Sequence, residues 1–210
     1  MARTKSEDKR RQIIRVAAQA FEELGYERTS MLTIAERMSG SKQTLYNYFP
    51  SKEDLLRAVL ELDVSEVADE AMGQFLAEKS LRKGLVRLGT IYLTRQLAPS
   101  AISNMRIVST QPSESNIGEE FYRNVLSRAW QRAADAFKTL MGEGKLRHSD
   151  PWLAAMHFKG LALQDLLERQ LLGAAKTVDP KEIESAAKHA ADAFLQIYGG
   201  EETAAKEKGR

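Results

Sequence analysis

The sequence predicts an all-α protein of about nine helices, with an N-terminal three-helix unit followed by a larger helical region. Three observations carry this. The 210 residues include only 13 Gly and 5 Pro, and Ala, Leu, Glu, Lys and Arg dominate, so strong helix formers meet few breakers. Apolar positions recur at i, i+3 and i+4 along most of the chain, the period of one helix face. No segment keeps the period of two that a strand requires. Apolar residues make up 43%, enough to bury a core and to exclude disorder throughout.

The first helix runs from about Ser6 to Leu24, with Ile13, Ala17, Ala20, Phe21 and Leu24 on one face and Gly25 as its stop. Ser30 can cap a second helix carrying Leu32, Ile34, Ala35 and Met38, and Thr33 with Glu36 offers the same start a turn later. Ser39-Gly40 breaks the pattern. A third, short helix covers Ser41 to Phe49, and Pro50 ends it. Ser51 with Asp54 opens a fourth that reaches Ala77. Further helices are expected near 80–97, 100–110, 116–142, 151–172 and 180–198, with a polar loop from Pro112 to Asn116. Two of them share a start signal, Asp150-Pro151 and Asp179-Pro180: the Asp side chain accepts from free N–H groups and the Pro has none to leave unpaired. Residues 201–210 lack an apolar face and are expected to fray. The expected organisation is a first domain over 1–50, a second over 51–200 and a tail over 201–210.

Charge is uneven. Residues 1–52 hold ten Lys and Arg against six Asp and Glu, and the remainder holds 21 against 23. A basic first quarter on a near-neutral remainder points to a polyanionic partner for the N-terminal part alone. The chain has no cysteine, which removes disulfides, thiolate catalysis and Cys-based metal sites and suits a cytoplasmic location. No apolar run approaches the ~18 residues of a membrane span, and no apolar stretch follows the charged residues 1–11 as a secretory signal needs. His148, His157 and His189 stand alone, no nucleophile motif or phosphate-cradling loop is present, and the Asp165 and Glu168 pair has the ordinary spacing of a solvated face. No catalytic residue, metal ligand or cofactor is expected.

The chemistry concentrates in Ser30 to Lys52, where two short helices flank a tight break, as in a helix-turn-helix. At 100° per residue Leu45 and Phe49 share one side of the third helix and can pack on Ile34, Ala35 and Met38. Lys42, Gln43, Tyr46 and Asn47 then occupy an opposite arc about 140° wide. A cation, two amides and a phenol can contact phosphates and base edges in a major groove, with Thr44 at the margin. The plain alternative is a solvated helix face. Against it stand the two tyrosines on so short a helix, and Lys52 in the first turn of the fourth helix. There the macrodipole disfavours a cation by ~0.3–1 kcal/mol and a phosphate would justify one. Arg3, Lys5, Lys9, Arg10 and Arg11 form a basic arm upstream.

These residues resemble the TetR family of bacterial transcriptional regulators. The resemblance rests on Ile13-Ile14, Ala17 through Phe21, Gly25-Tyr26, Thr29-Ser30, Ile34-Ala35-Glu36, Ser41 through Phe49, and Pro50-Ser51-Lys52-Glu53-Asp54-Leu55, in order and without a gap. Where the family usually has Ala-Gly-Val in the turn, this chain has Met38-Ser39-Gly40, with the glycine displaced by one place. By position, the resemblance implies that Ser30, Lys42, Gln43, Thr44, Tyr46, Asn47, Tyr48 and Lys52 face double-stranded DNA. Gln43 and Asn47 would read bases, Lys42 a guanine or a phosphate, and Tyr46, Tyr48 and Lys52 the backbone.

In the remainder, Arg106-Ile107-Val108, Phe121-Tyr122, Gly144-Lys145-Leu146-Arg147 and Asp150-Pro151 through Gly160 look like an AefR-like C-terminal class of that family. This implies an effector-binding and dimerisation domain. The wide apolar faces of 151–172 and 180–198 suit a two-fold homodimer interface, or the chain's own core. Phe75, Leu88, Tyr92, Met105, Val108, Phe121, Trp130, Phe137 and Phe158 are large enough to line a pocket, with Tyr92, Arg106, Trp130 and Gln164 as polar tips. The ligand candidates are thus Tyr92, Met105, Arg106, Trp130, Phe158 and Gln164. The family implies a repressor whose effector tilts helix four and spoils the spacing of the two recognition helices. Two alternatives stay open: a regulator whose DNA binding a ligand or partner promotes, and a helical ligand-binding adaptor that no longer binds DNA.

Overall fold

The computed structural model describes residues 5–38 and 41–200, and all named elements among them are helical. Eleven helices follow one another: α1 Lys5–Leu24, α2 Met31–Arg37, α3 Lys42–Tyr48, α4 Lys52–Ala77, α5 Leu81–Gln96, α6 Pro99–Ser109, α7 Ile117–Phe121, α8 Ser127–Gly142, α9 Pro151–Leu163, α10 Leu166–Leu171 and α11 Pro180–Tyr198. The start signals at Ser30, Ser51, Asp150 and Asp179 act as the sequence predicts, and Ser41 and Ser80 add two more caps. Ser30, Ser41, Ser80, Asp150 and Asp179 each accept a hydrogen bond from a backbone N–H of the first turn they cap. For α2 this selects Ser30 over the later Thr33 start. Arg3, the turn residues Ser39-Gly40 and the tail 201–210 lie outside the described residues, as does the side chain of Lys5.

Two expected helices are interrupted. The segment 116–142 contains a wide π-type turn at Tyr122–Leu126, between α7 and α8. The segment 151–172 breaks at Gln164, whose φ of 47° and ψ of −129° end α9 and re-aim the chain into α10. At 100° per residue a continuous helix would carry Asp165 and Arg169 around to the stripe of Ala154, Ala155, Phe158 and Ala162. The break instead buries Leu166 and Gln170, leaves Asp165 exposed, and lets the Arg169 guanidinium donate to Glu182 of α11 at 2.5 Å. The break keeps both charged side chains off that apolar stripe, where burying them would be costly.

The chain forms two compact units. The first joins the residues up to Val64 with Ser103–Val125, and the second joins Ser65–Ile102 with the residues from Leu126 on. These units do not follow a cut at residue 50, because α4 contributes to both. In the first unit Ile13, Ile14, Ala17, Ala20 and Phe21 of α1 are buried, as are Ile34 and Ala35 of α2, Leu45 of α3 and Leu55, Leu56 and Val59 of α4. Gly25 ends α1 at φ +82°, a conformation that an L side chain rarely adopts, and its N–H donates to the Phe21 carbonyl at 3.0 Å. Within the same unit Arg57 of α4 donates to Glu120 of α7 at 2.6 Å and to the Ser115 carbonyl at 3.2 Å.

The second unit packs α11 on α5 and α9, and α8 on α9. Its centre is aromatic: the Phe137 ring lies 6.0 Å from Phe75, 6.3 Å from Phe158 and 5.0 Å from Phe194. Each such ring buried contributes about 1.5–3 kcal/mol. Gly89 lets α5 approach α11, since a Cβ there would stand 3.2 Å from that of Ala187. Arg82 of α5 grips Asp192 of α11 through two hydrogen bonds of 2.6 and 2.8 Å. Among the described residues no helix is long and apolar enough to cross a membrane.

Candidate nucleic-acid interface

Helix α3 is short because both ends are fixed. Thr44 N–H donates to the Ser41 hydroxyl at 3.1 Å at its start, and Pro50 follows Phe49, whose N–H closes the last turn on the Leu45 carbonyl at 2.9 Å. Leu45 and Phe49 are buried, so the opposite face must point outward. That face carries Lys42, Gln43, Tyr46 and Asn47, all exposed, with Thr44 and Tyr48 half-buried at its margins. The arc drawn from the sequence is therefore the arc in the structure.

The side chains on this face constrain one another. The Gln43 amide donates from Nε2 to Asn47 Oδ1 at 3.0 Å. The Lys42 ammonium stands 5.8 Å from the centre of the Tyr46 ring, a cation–π contact that shields part of a phenol 39% exposed. Thr44 shares a hydroxyl contact of 2.8 Å with Ser41. Tyr48 lies 3.3 Å, hydroxyl to hydroxyl, from Ser6 at the start of α1. Ser30 is exposed at the α2 terminus, where its oxygen accepts from Thr33 N–H at 3.0 Å.

Lys52 has a structural partner as well as a position suited to a phosphate. Its Nζ donates to the Tyr26 carbonyl at 3.0 Å and stands 4.2 Å from the Tyr26 ring centre. These contacts offset the macrodipole, as do Glu53 and Asp54 in the same turn. Tyr26 is itself buried, packs edge-on against Phe21 at 5.2 Å, and leaves its hydroxyl without a protein partner. Burial first, then the carboxylates of Glu53 and Glu27, push that phenol up to about 12. Sequence reasoning missed Tyr26 in this role; the signal was its place beside Gly25, which fixes where the chain turns back. In the basic stretch Lys9 and Arg10 belong to α1 itself. Lys9 donates to Gln12 at 3.0 Å, and the Arg10 guanidinium covers the Phe49 ring at 5.1 Å.

The ligand candidates are dispersed. Tyr92 and Trp130 meet edge to face in the second unit, centroids 4.9 Å apart, and burial holds the Tyr92 phenol well above its usual range. Phe158 is fully buried in the aromatic centre, and Gln164 is exposed at the α9 break. Met105 and Arg106 belong to the first unit, where Arg106 lines a cleft of about 250 Å³ with Tyr26, Arg28 and Thr110. A larger groove of about 600 Å³ in the second unit is lined by Met72, Phe75, Leu76, Arg132 and Leu140. Of the residues expected to line a pocket, it includes only Phe75.

Comparison with known proteins agrees with this architecture. Residues 13–59 match the model for bacterial regulatory proteins of the tetR family. Residues 83–200 match the model for the C-terminal domain of AefR-like transcriptional repressors. The HTH-type transcriptional regulator YhgD of Bacillus subtilis (strain 168) is 26% identical over 152 residues, which cover 70% of this chain and 77% of YhgD. A crystal structure from Mesorhizobium loti MAFF303099, assigned to the TetR family of transcriptional regulators, is 28% identical. It superposes with a TM-score of 0.85 over 94% of this chain and 100% of that one. The flavonoid-responsive regulator FrrA is 26% identical, with a TM-score of 0.67 over 92% of this chain and 98% of its own.

Proposed function

The chain belongs to the TetR family of bacterial regulatory proteins, and on that footing we propose that it is a ligand-responsive repressor that binds a near-palindromic duplex as a homodimer. One observation carries the DNA-binding part. A seven-residue helix, seated by Leu45 and Phe49, presents a cation, two amides and a phenol on its exposed face. Gln43 and Asn47 read base edges, and Lys42 takes a guanine or a phosphate. Ser30, Thr44, Tyr46, Tyr48 and Lys52 fix the register on the backbone.

Dimerisation is assigned to α9, α10 and α11. Leu153 is 47% exposed, Leu172 84% and Ile197 41%, an apolar surface that a second copy would cover. Two copies place two recognition helices about one turn of DNA apart, which is why the duplex is expected to be near-palindromic. The effector is assigned to Tyr92 and Trp130, where a largely buried phenol in an aromatic setting can orient a small molecule. The flavonoid response of FrrA, a similar regulator, supports a small-molecule effector of some kind here. Effector binding lowers DNA affinity by shifting the population away from the DNA-competent form.

The test is selection from a random duplex pool at fixed salt, with light scattering on the same sample. The expected result is a dimer and an enriched near-palindrome. A folded dimer that enriches no sequence would overturn the reading.

A further inference from the structure

Gln43 and Asn47 are joined before any DNA arrives. Asn47 Oδ1 accepts one of the two Gln43 Nε2 protons at 3.0 Å, both side chains are exposed, and both lie one turn apart on α3. A free glutamine has several rotatable bonds, and ordering it on a base forfeits that freedom. Here part of that freedom is already restricted, because the Gln43 amide donates to Asn47.

The donor and acceptor inventory then becomes asymmetric. Gln43 keeps its Oε1 acceptor and its second Nε2 proton. That is the pair which meets the N6 donor and N7 acceptor of adenine. Asn47 has spent acceptor capacity on Gln43 and keeps both Nδ2 protons, so its outward character is that of a donor. A donor suits guanine O6 or N7, adenine N7 or thymine O4, and does not suit cytosine N4.

We propose that Gln43 and Asn47 read DNA as one coupled unit, in which Asn47 buttresses Gln43 for adenine and itself selects an acceptor-bearing base at a neighbouring position. This rests on the reading above that the exposed face of α3 meets the major groove. Asn47 is thus both a base-reading residue and the positioning residue for Gln43, and the two roles can be separated by substitution.

The experiment is duplex selection with wild type and with Asn47→Ala, Asn47→Asp and Gln43→Ala, at one salt concentration. Circular dichroism confirms that each variant is folded. Preferences are compared within each variant's own pool, so that a uniform loss of affinity cancels. Wild type should prefer adenine at one half-site position by about fivefold to a hundredfold, the range of one bidentate contact, with cytosine disfavoured at a neighbour. Asn47→Ala should flatten both positions. Asn47→Asp keeps an oxygen that accepts from Gln43, so the adenine preference should survive while the neighbour turns to cytosine. Gln43→Ala should lose adenine alone. If Asn47→Asp flattens adenine as Asn47→Ala does, or if Asn47→Ala leaves adenine untouched, the coupling is wrong while DNA recognition stands. If the wild type enriches nothing, the DNA reading fails and the coupling falls with it.

Discussion

The contact between Lys52 and Tyr26 is structural, and the proposal adds a phosphate to the same ammonium, so the two uses can be tested at one residue. The Tyr26 hydroxyl is buried without a protein partner, so removing it forfeits no hydrogen bond and relieves a desolvated polar group. Tyr26→Phe should keep or raise the melting temperature at neutral pH, and it retains the ring that Lys52 covers. Its effect at alkaline pH has a definite sign. The folded-state phenol, at about 12, stands above its ordinary value of 10, so stability is full below pH 10 and declines as pH rises through the folded value. Tyr26→Phe should therefore unfold less readily than wild type in that window, as measured by denaturant melts at successive pH values. Lys52→Met tests the other partner. Loss of its bond to the Tyr26 carbonyl should lower stability by about 1 kcal/mol. If Lys52 also meets a phosphate, binding should weaken for all sequences alike and the salt slope should shallow by about one. A stability loss with an unchanged slope would make it a structural residue only. The sequence marked Lys52 as a cation out of place in its first turn. Its partner stands 26 residues earlier, a distance no local spacing rule reaches.

At the scale of elements, helix starts were legible because capping is local chemistry. Ser30, Ser51, Asp150 and Asp179 each cap the helix start predicted for them. Helix interruptions were not legible, because they answer to tertiary packing. Leu161 to Leu172 contains no Gly or Pro, and nothing local predicts a break at Gln164. The break is decided by which side chains would otherwise enter the core, and its cost is carried by Gln164. A non-glycine residue at φ 47° and ψ −129° costs about 1–3 kcal/mol. Gln164→Gly should accordingly raise stability by about 1 kcal/mol in urea melts, after the extra freedom of glycine in the unfolded chain is subtracted. A fall in stability would show that the Gln164 side chain holds the break in place.

At the scale of the whole molecule, the exposed face of α3 was legible and the ligand candidates lie apart from one another. One rule of helical period, applied over nine residues, gave the exposed face of α3, since Leu45 and Phe49 leave it no other orientation. A pocket has no such rule. Tyr92 and Trp130 meet, whereas Phe158 serves the core and Gln164 the α9 break, because large side chains satisfy packing and ligand binding with the same signature. Tyr92→Phe separates the two uses: it keeps the contact with the Trp130 edge and removes the polar tip. It should leave operator affinity in the absence of effector unchanged and blunt the loss of affinity that effector causes, read by titrating effector into a protein–DNA complex. Dimerisation is tested by charge. Leu153→Glu together with Ile197→Glu places four carboxylates on the surface that two copies would share, and neither side chain is buried within one chain. The variant should remain helical and scatter light at the mass of one chain. Its affinity for a near-palindromic duplex should fall by more than about a hundredfold, since each half-site must then be held without the effective concentration that its twin supplies. An intact dimer would move the interface off these two residues. A monomer that kept wild-type affinity would mean that one recognition helix suffices, and the near-palindrome would lose its physical reason.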